Sequence, residues 1–226
     1  MPTIVLTSPK GGAGKSTTAV ILGTELAQLG YPVTMLNCDL VSDEKAALRI
    51  WEKVGPVPAG ITLKHDITEK DVIREIKAGE GDGKIVIVDL GGAASLLATR
   101  AISQADLVLV PIRPSPLDAS AAEHIVRMIY IEEETLGRQI PWAAVITAAK
   151  NIKSKHHKKI VADLIEAEAT IIEPELTERG AYQDFFSEGQ GGDLHSMTPT
   201  ATHANAIDNA QRFTRAVLAQ LTKVAE

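Results

Sequence analysis

Two lysines, three glycines and a serine fall within eight residues near the start of the sequence, in Lys10-Gly11-Gly12-Ala13-Gly14-Lys15-Ser16-Thr17. A glycine-rich turn offers its backbone N–H groups, and a helix that follows adds its positive end, so together they form an anion cradle. Gly11, Gly12 and Gly14 let the chain curl closely around phosphate oxygens. Lys15 is spaced to reach the β- and γ-phosphates of a nucleotide, and the Ser16 hydroxyl to take a Mg²⁺ ligand position. The context is the one this chemistry needs. An apolar run, Thr3 to Thr7, precedes the loop, and a helical pattern, Thr18 to Leu29, follows it. The bland alternative, a glycine-rich turn with two surface lysines, leaves that agreement unexplained.

Two carboxylates fall at the ends of predicted strands. Asp89 follows Ile85-Val86-Ile87-Val88, and an acid after four buried apolar residues suits a Mg²⁺-holding strand end. Gly91-Gly92 would let the next loop approach a γ-phosphate. Asp39 ends Met35-Leu36-Asn37-Cys38-Asp39, where a carboxylate lies beside bound phosphates in a doubly wound sheet. A helix cap or surface acid is the competing reading of Asp39.

Positive charge concentrates between Lys150 and Lys159, where Lys150, Lys153, Lys155, Lys158 and Lys159 accompany His156 and His157. Two readings stand: contacts with DNA phosphates that read no bases, or a solvated helix start. Lysines at a helix N-terminus oppose its dipole, which hints at another use. Adjacent histidines do not share a helix face, so no metal site is expected there.

These residues need a parallel sheet to bring them together. Strands are predicted at Thr3 to Thr7, Val33 to Cys38, Ile61 to Lys64, Ile85 to Asp89, Ala105 to Ile112, Trp142 to Thr147 and Thr170 to Ile172. Helices are predicted over Ala19 to Leu29 with Gly30 as stop, Ser42 to Val54 with Ser42 as cap and Glu44 nearby, and Thr68 to Ala78 with Glu69 in its first turn. Others are predicted over Ala94 to Gln104, Ala119 to Leu136, Ser154 to Glu168, Glu178 to Ser187 and His203 to Val224. Gly189 to Gly192 is expected to be flexible. The alternation predicts an α/β fold: one doubly wound, mainly parallel sheet with helices on both faces.

The chain of 226 residues suffices for a single domain spanning residues 1–226. Its net charge of −6 and pI of about 5.6 argue against a globally basic nucleic-acid binder, though not against a local patch. No apolar stretch is long enough to span a bilayer, and no signal peptide is evident. The single cysteine, Cys38, precludes an internal disulfide and fits a reducing cytoplasm.

The loop departs from the commoner phosphate-loop pattern. Pro9 takes the first glycine position, and Lys10 follows it. This resembles the deviant Walker A box of the ParA/MinD ATPases, and the resemblance runs from Thr3 to the closing helix. It implies a P-loop ATPase using ATP and Mg²⁺ whose extra lysine, Lys10, reaches across a homodimer to the partner's nucleotide. It also implies that Lys15 neutralises phosphate charge in cis, that Ser16 and Asp89 hold Mg²⁺, and that Asp39 orients the attacking water. The family's usual Asp-x-Asp is here Asn37-Cys38-Asp39, which keeps hydrogen bonding but loses a charge. Its usual Asp-Thr-Pro is here Asp89-Leu90-Gly91, followed by Gly92-Ala93-Ala94-Ser95, as in short ParF-type plasmid ATPases.

Pro114-Ser115-Pro116-Leu117-Asp118 is similar to a segment of short ParA and VirC-type proteins near the dimer interface. A stiff connection with Asp118 capping the next helix explains it equally. Leu176 to Tyr182 also resembles ParA proteins, and by that likeness the residues around Pro174 lie close to the adenine. No guanine-selecting box is visible, so adenine rests on the resemblance.

The implied function is slow, adaptor-stimulated ATP hydrolysis that times release from nonspecific DNA during plasmid or chromosome partition. A ParB-like centromere-binding adaptor and a nucleoid-associated cytoplasmic location go with it. Alternatives are a VirC-like accessory ATPase of conjugative transfer, a positioning ATPase for a protein cargo, and a metabolic P-loop enzyme. The paired lysines speak against the last. The end of the chain, Ala206 to Glu226, lacks the basic amphipathic character of MinD-type membrane helices. With no extension before the first strand, sequence-specific DNA reading is expected to fall to a partner.

Overall fold

A computed structural model describes residues 2–39, 45–81, 83–92, 95–189, 192–197 and 200–225. Six strands form one parallel sheet in the order β3-β2-β4-β1-β5-β6. They are β1 (Thr3–Leu6), β2 (Val33–Cys38), β3 (Ile61–Lys64), β4 (Ile85–Leu90), β5 (Leu107–Ile112) and β6 (Trp142–Ile146). The helices are α1 (Lys15–Gln28), α2 (Ala47–Val54), α3 (Val72–Gly79), α4 (Leu96–Ile102), α5 (Pro116–Leu136), α6 (Lys155–Glu166), α7 (Gly180–Gln183) and α8 (Ala201–Ala225).

Alternate residues of each strand face opposite layers. Ile4, Leu6, Met35 and Ile87 pack with α1, α2 and α8. Val5, Leu36, Val86 and Val88 pack with α3, α4 and α5. Covering both faces explains why the strands read as unbroken apolar runs rather than as alternating ones. Ile4, Val5 and Leu6 have no exposed surface, and each such side chain contributes about 1.5–3 kcal/mol by leaving water. β1 is thereby fixed between β4 and β5. Strand order reverses around β1 and β4, so a crevice opens beyond their carboxyl ends. In that register Asn37 lies beside Asp89, and Leu6 lies on Asp89's other side. Both polar residues continue the parity that faces α1.

Several predicted boundaries shift. α1 begins at Lys15, directly after the loop, because Gly14 acts as its N-cap. α2 starts at Ala47 with no side-chain cap; Ser42 and Glu44 lie outside the described residues. α3 starts at Val72 rather than Thr68, because the Thr68 hydroxyl bonds the Asp71 carboxylate at 2.6 Å and holds a turn instead. Glu69 therefore falls before the helix. α4 starts at Leu96, capped by Ser95, whose hydroxyl accepts from the Ala98 N–H at 3.2 Å; Ala94 is not among the described residues. α5 is capped by Ser115 and not by Asp118, which sits in the first turn with its N–H donating to the Ser115 hydroxyl. The strand predicted at Thr170 to Ile172 is a single bridge from Ile171 to Ala144. The helix predicted over Glu178 to Ser187 is α7 followed by one 3₁₀ turn, Asp184–Phe186. Of Gly189 to Gly192, expected to be flexible, the middle two residues lie outside the described residues. Gly192 itself is anchored, its carbonyl accepting from the Trp51 indole at 2.7 Å. Cys38 is a buried free thiol, and burial pushes its pKa up. No described helix is long and apolar enough to cross a membrane.

Candidate phosphate-binding site

The loop between β1 and α1 lies over the crevice. Gly14 takes φ +94°, a backbone region closed to most L-residues, and its carbonyl accepts from the Thr18 N–H at 2.9 Å and the Thr18 hydroxyl at 2.8 Å. From the end of β6, the Thr147 hydroxyl donates to the Ala13 carbonyl at 2.7 Å. α1 thus starts directly from the loop: Lys10, Gly11, Gly12, Ala13 and Gly14 precede its first turn, and Lys15, Ser16 and Thr17 form that turn. Gly92 crosses close by: a Cβ there would stand 3.1 Å from the Gly11 nitrogen.

Lys15 is buried, and its ammonium lies 3.4 Å from the Lys10 carbonyl. Burial lowers its pKa, while the nearby Asp89 and Asp39 carboxylates oppose that shift. Asp89 is wholly buried at the end of β4. Desolvation pushes its pKa up to about 6, against the Ser16 hydrogen bond and the Lys15 charge, while the Asp39 charge adds to the rise. One carboxylate oxygen, Oδ1, is buried without a hydrogen-bond partner. An orphaned buried carboxylate oxygen beside a serine hydroxyl is an oxygen donor set suited to Mg²⁺. The residues present fit the ion that the motif implies.

Asp39 follows β2, and its carboxylate is close to Gly91, where an added Cβ would lie 3.4 Å from Oδ1. Asn37 is buried, and its Oδ1 accepts from the Asp39 N–H at 3.1 Å. Lys10 stands at the rim, half exposed, with its ammonium 3.5 Å from the Asp118 carboxylate. A second Asp118 oxygen accepts from the Ser115 hydroxyl at 2.6 Å. In this single chain the rim lysine is therefore docked on the first turn of α5.

A cleft of about 250 Å³ continues from the loop, lined by Gly14, Thr17, Arg113, Thr147, Arg179 and Tyr182 among others. Pro174 does not line it. With Glu173 and Glu175, it borders a separate groove against Arg212 and Arg215. Leu176 to Arg179, rather than Pro174, flank the space next to the loop.

The lysine-rich stretch is less uniformly basic in space than in sequence. Lys153 is paired with Glu175, which also takes the buried His157 ring at 2.6 Å. Lys159 faces Asp163 at 3.7 Å. Lys150, Lys155 and Lys158 project from the surface. Sequence reasoning missed Thr147 and Arg113 as site residues. Both follow the ends of apolar strands, as Asp39 does, and that position at the crevice is the signal that marks them.

A central parallel sheet, a glycine loop closed by a buried lysine, and a buried acid on the adjacent strand define a P-loop nucleotide-binding domain. Residues 4–190 match the CbiA family, the CobQ/CobB/MinD/ParA nucleotide binding domain, and the chain belongs to that family. It is 48% identical over 225 residues to Protein ParA of Rhizobium radiobacter, covering 99% of each chain. Among solved structures it resembles the septum site-determining protein MinD of Pyrococcus horikoshii complexed with Mg-ADP, with a TM-score of 0.72 and 14% identity over 96% of this chain and 97% of that one. A substituted McdA of Cyanothece in complex with ATP gives a TM-score of 0.71 at 17% identity, covering 96% of both.

Proposed function

We propose that this chain is a Mg²⁺-dependent ATPase of DNA partition, a nucleotide-gated switch that dimerises with ATP. The observation that carries the reading is the pair of lysines on one phosphate loop, Lys15 buried in the cradle and Lys10 half exposed at its rim. One cation belongs to the chain's own phosphates, and the other can swing outward toward a second subunit once it leaves Asp118. The full-length likeness to a Protein ParA supports partition as the setting.

Ser16 and the Asp89 carboxylate would hold Mg²⁺, which when bound neutralises charge on the phosphate oxygens. Loop N–H groups and Lys15 bind and orient the phosphates. Asp39 positions water in line with the terminal phosphorus. Positioning and electrostatics supply most of the catalysis in this chemistry. A partner akin to ParB would stimulate the step, and hydrolysis would release the dimer from nonspecific DNA, placing the protein on the nucleoid.

Lys150, Lys155 and Lys158 supply the DNA surface in this reading, with Lys153 and Lys159 contributing less because they already face carboxylates. With ATP, retention on duplex DNA of arbitrary sequence is expected to weaken steeply with salt. Replacing Lys150, Lys155 and Lys158 by alanine should flatten the log–log salt slope by about 0.9 for each phosphate no longer neutralised. Fluorescence anisotropy at several salt concentrations measures this. A slope that is unchanged in the triple variant removes this surface, and no ATP-dependent binding at low salt removes the DNA reading.

A further inference from the structure

Asn37 stands where the resemblance leads one to expect an aspartate, and its surroundings give the amide a use that a carboxylate would not have. Its Oδ1 accepts from the Asp39 N–H at 3.1 Å. Its Nδ2 lies 3.0 Å from Nδ1 of His65, the residue directly after β3. On the far side of that ring, Nε2 lies 2.9 Å from the Glu52 carboxylate on α2. The polarity of every link follows from the first. A backbone N–H can only donate, so the amide must present its oxygen to Asp39 and its NH₂ to His65. Nδ1 of His65 must then accept, and the ring proton sits on Nε2 and is donated to Glu52.

We infer that His65 is a positioning residue for Asp39: by accepting from Asn37, it locks the amide orientation that fixes the backbone of the water-orienting carboxylate. The chain Asp39–Asn37–His65–Glu52 joins the end of β2, the end of β3 and α2. α2 is itself anchored by the fully buried Leu48 and Trp51. Asn37 is buried and the His65 side chain only 13% exposed, so water competes poorly for the bond between them. A free amide could rotate by half a turn and oppose its NH₂ to the Asp39 N–H. His65 prevents this, because the rotated amide would turn its oxygen toward an Nδ1 that carries no proton. Among the described residues, the charged chain neighbours of the ring are Asp66, held by Arg49 at 2.6 Å, and Lys64, held by Glu75 at 2.8 Å. Both are thus engaged by partners other than the amide.

The inference rests on the proposed hydrolysis for its kinetic arm and on the fold alone for its exchange arm. The test compares two side chains of nearly equal shape. His65→Asn keeps an acceptor near the Nδ1 position, whereas His65→Leu does not. In His65→Leu, hydrogen exchange at the Asp39 amide, followed by NMR without nucleotide, should accelerate roughly tenfold or more. Its kcat should fall roughly tenfold, with ATP affinity held within about twofold. His65→Asn should restore both exchange protection and kcat. Should the leucine variant not fold, His65→Ala carries the same comparison. Equal exchange in wild type and the leucine variant overturns the inference, as does an asparagine variant as impaired as leucine. If the wild type does not turn over ATP, the proposed function fails, and the exchange arm still decides the role of His65.

Discussion

Asp89→Asn is expected to make the nucleotide-free protein more stable and to abolish its response to Mg-ATP. Burial raises the Asp89 pKa from 3.8 to about 6, so the folded state holds this proton more tightly than the unfolded chain. The sign follows from linkage. Stability tied to this group is fully present below about pH 4 and is lost as pH rises through about 6. Above that, the ionised carboxylate costs about 3 kcal/mol relative to an unperturbed one. An asparagine carries no such charge, though its buried amide will be imperfectly satisfied. The net gain should raise the melting temperature by about 5 °C at pH 7.5 and fall to slightly below zero near pH 4, where only the cost of the amide remains. The same change removes the charge that would face Mg²⁺, so ATP turnover should drop roughly hundredfold or more. Calorimetry at two pH values, with and without Mg-ATP, checks both halves. A variant less stable than wild type at pH 7.5 would show that the Lys15–Asp89 attraction outweighs the burial cost. A variant that still gains stability from Mg-ATP like wild type would take Asp89 out of the metal site.

Gly14→Ala should instead damage the phosphate cradle while leaving the fold standing. The backbone at Gly14 has φ +94°, which costs a residue with a Cβ about 1–2 kcal/mol. That Cβ would also lie 3.2 Å from Thr147 Cβ and Cγ2 and 3.3 Å from its hydroxyl. Thr147 cannot retreat without loosening its bond to the Ala13 carbonyl, and that bond shapes the loop. A combined penalty of about 3 kcal/mol, expressed where the first N–H groups of α1 converge, corresponds to roughly a hundredfold loss of ATP affinity. The fold should survive, since domains of this kind have margins of about 5–15 kcal/mol. Titration calorimetry measures the affinity. An unchanged value would mean that the N–H groups next to Gly14 do not hold the phosphates.

The sheet was legible from apolar runs because parallel strands buried on both faces leave little ambiguity. Val33 to Cys38 and Ile61 to Lys64 match their strands end to end. Helix starts were less legible, because a capping hydroxyl competes with neighbours that look equally suitable. Ser115 rather than Asp118 caps α5, and Thr68 makes a turn before α3. The phosphate loop could be read because its residues are adjacent in the chain. What could not be read was any pairing assembled from distant segments: Thr147 under the loop, Lys10 on Asp118, and His65 against Asn37, 28 positions apart. In sequence the lysine cluster looks uniform, because Glu175, which faces Lys153, comes into place only through the fold; the Lys159–Asp163 pair, four residues apart on α6, was open to a sequence reading.

The central claim is that Lys10 belongs to a second subunit's nucleotide. Light scattering of the purified chain with ATP, with ADP and without nucleotide, for wild type and Lys10→Ala, tests it most directly. The account predicts a doubling of mass with ATP alone in wild type. Lys10→Ala should stay monomeric while still binding ATP, because Lys15 and the loop N–H groups remain. A Lys10→Ala protein that dimerises with ATP as wild type does would contradict it, as would a wild type that binds ATP and stays monomeric.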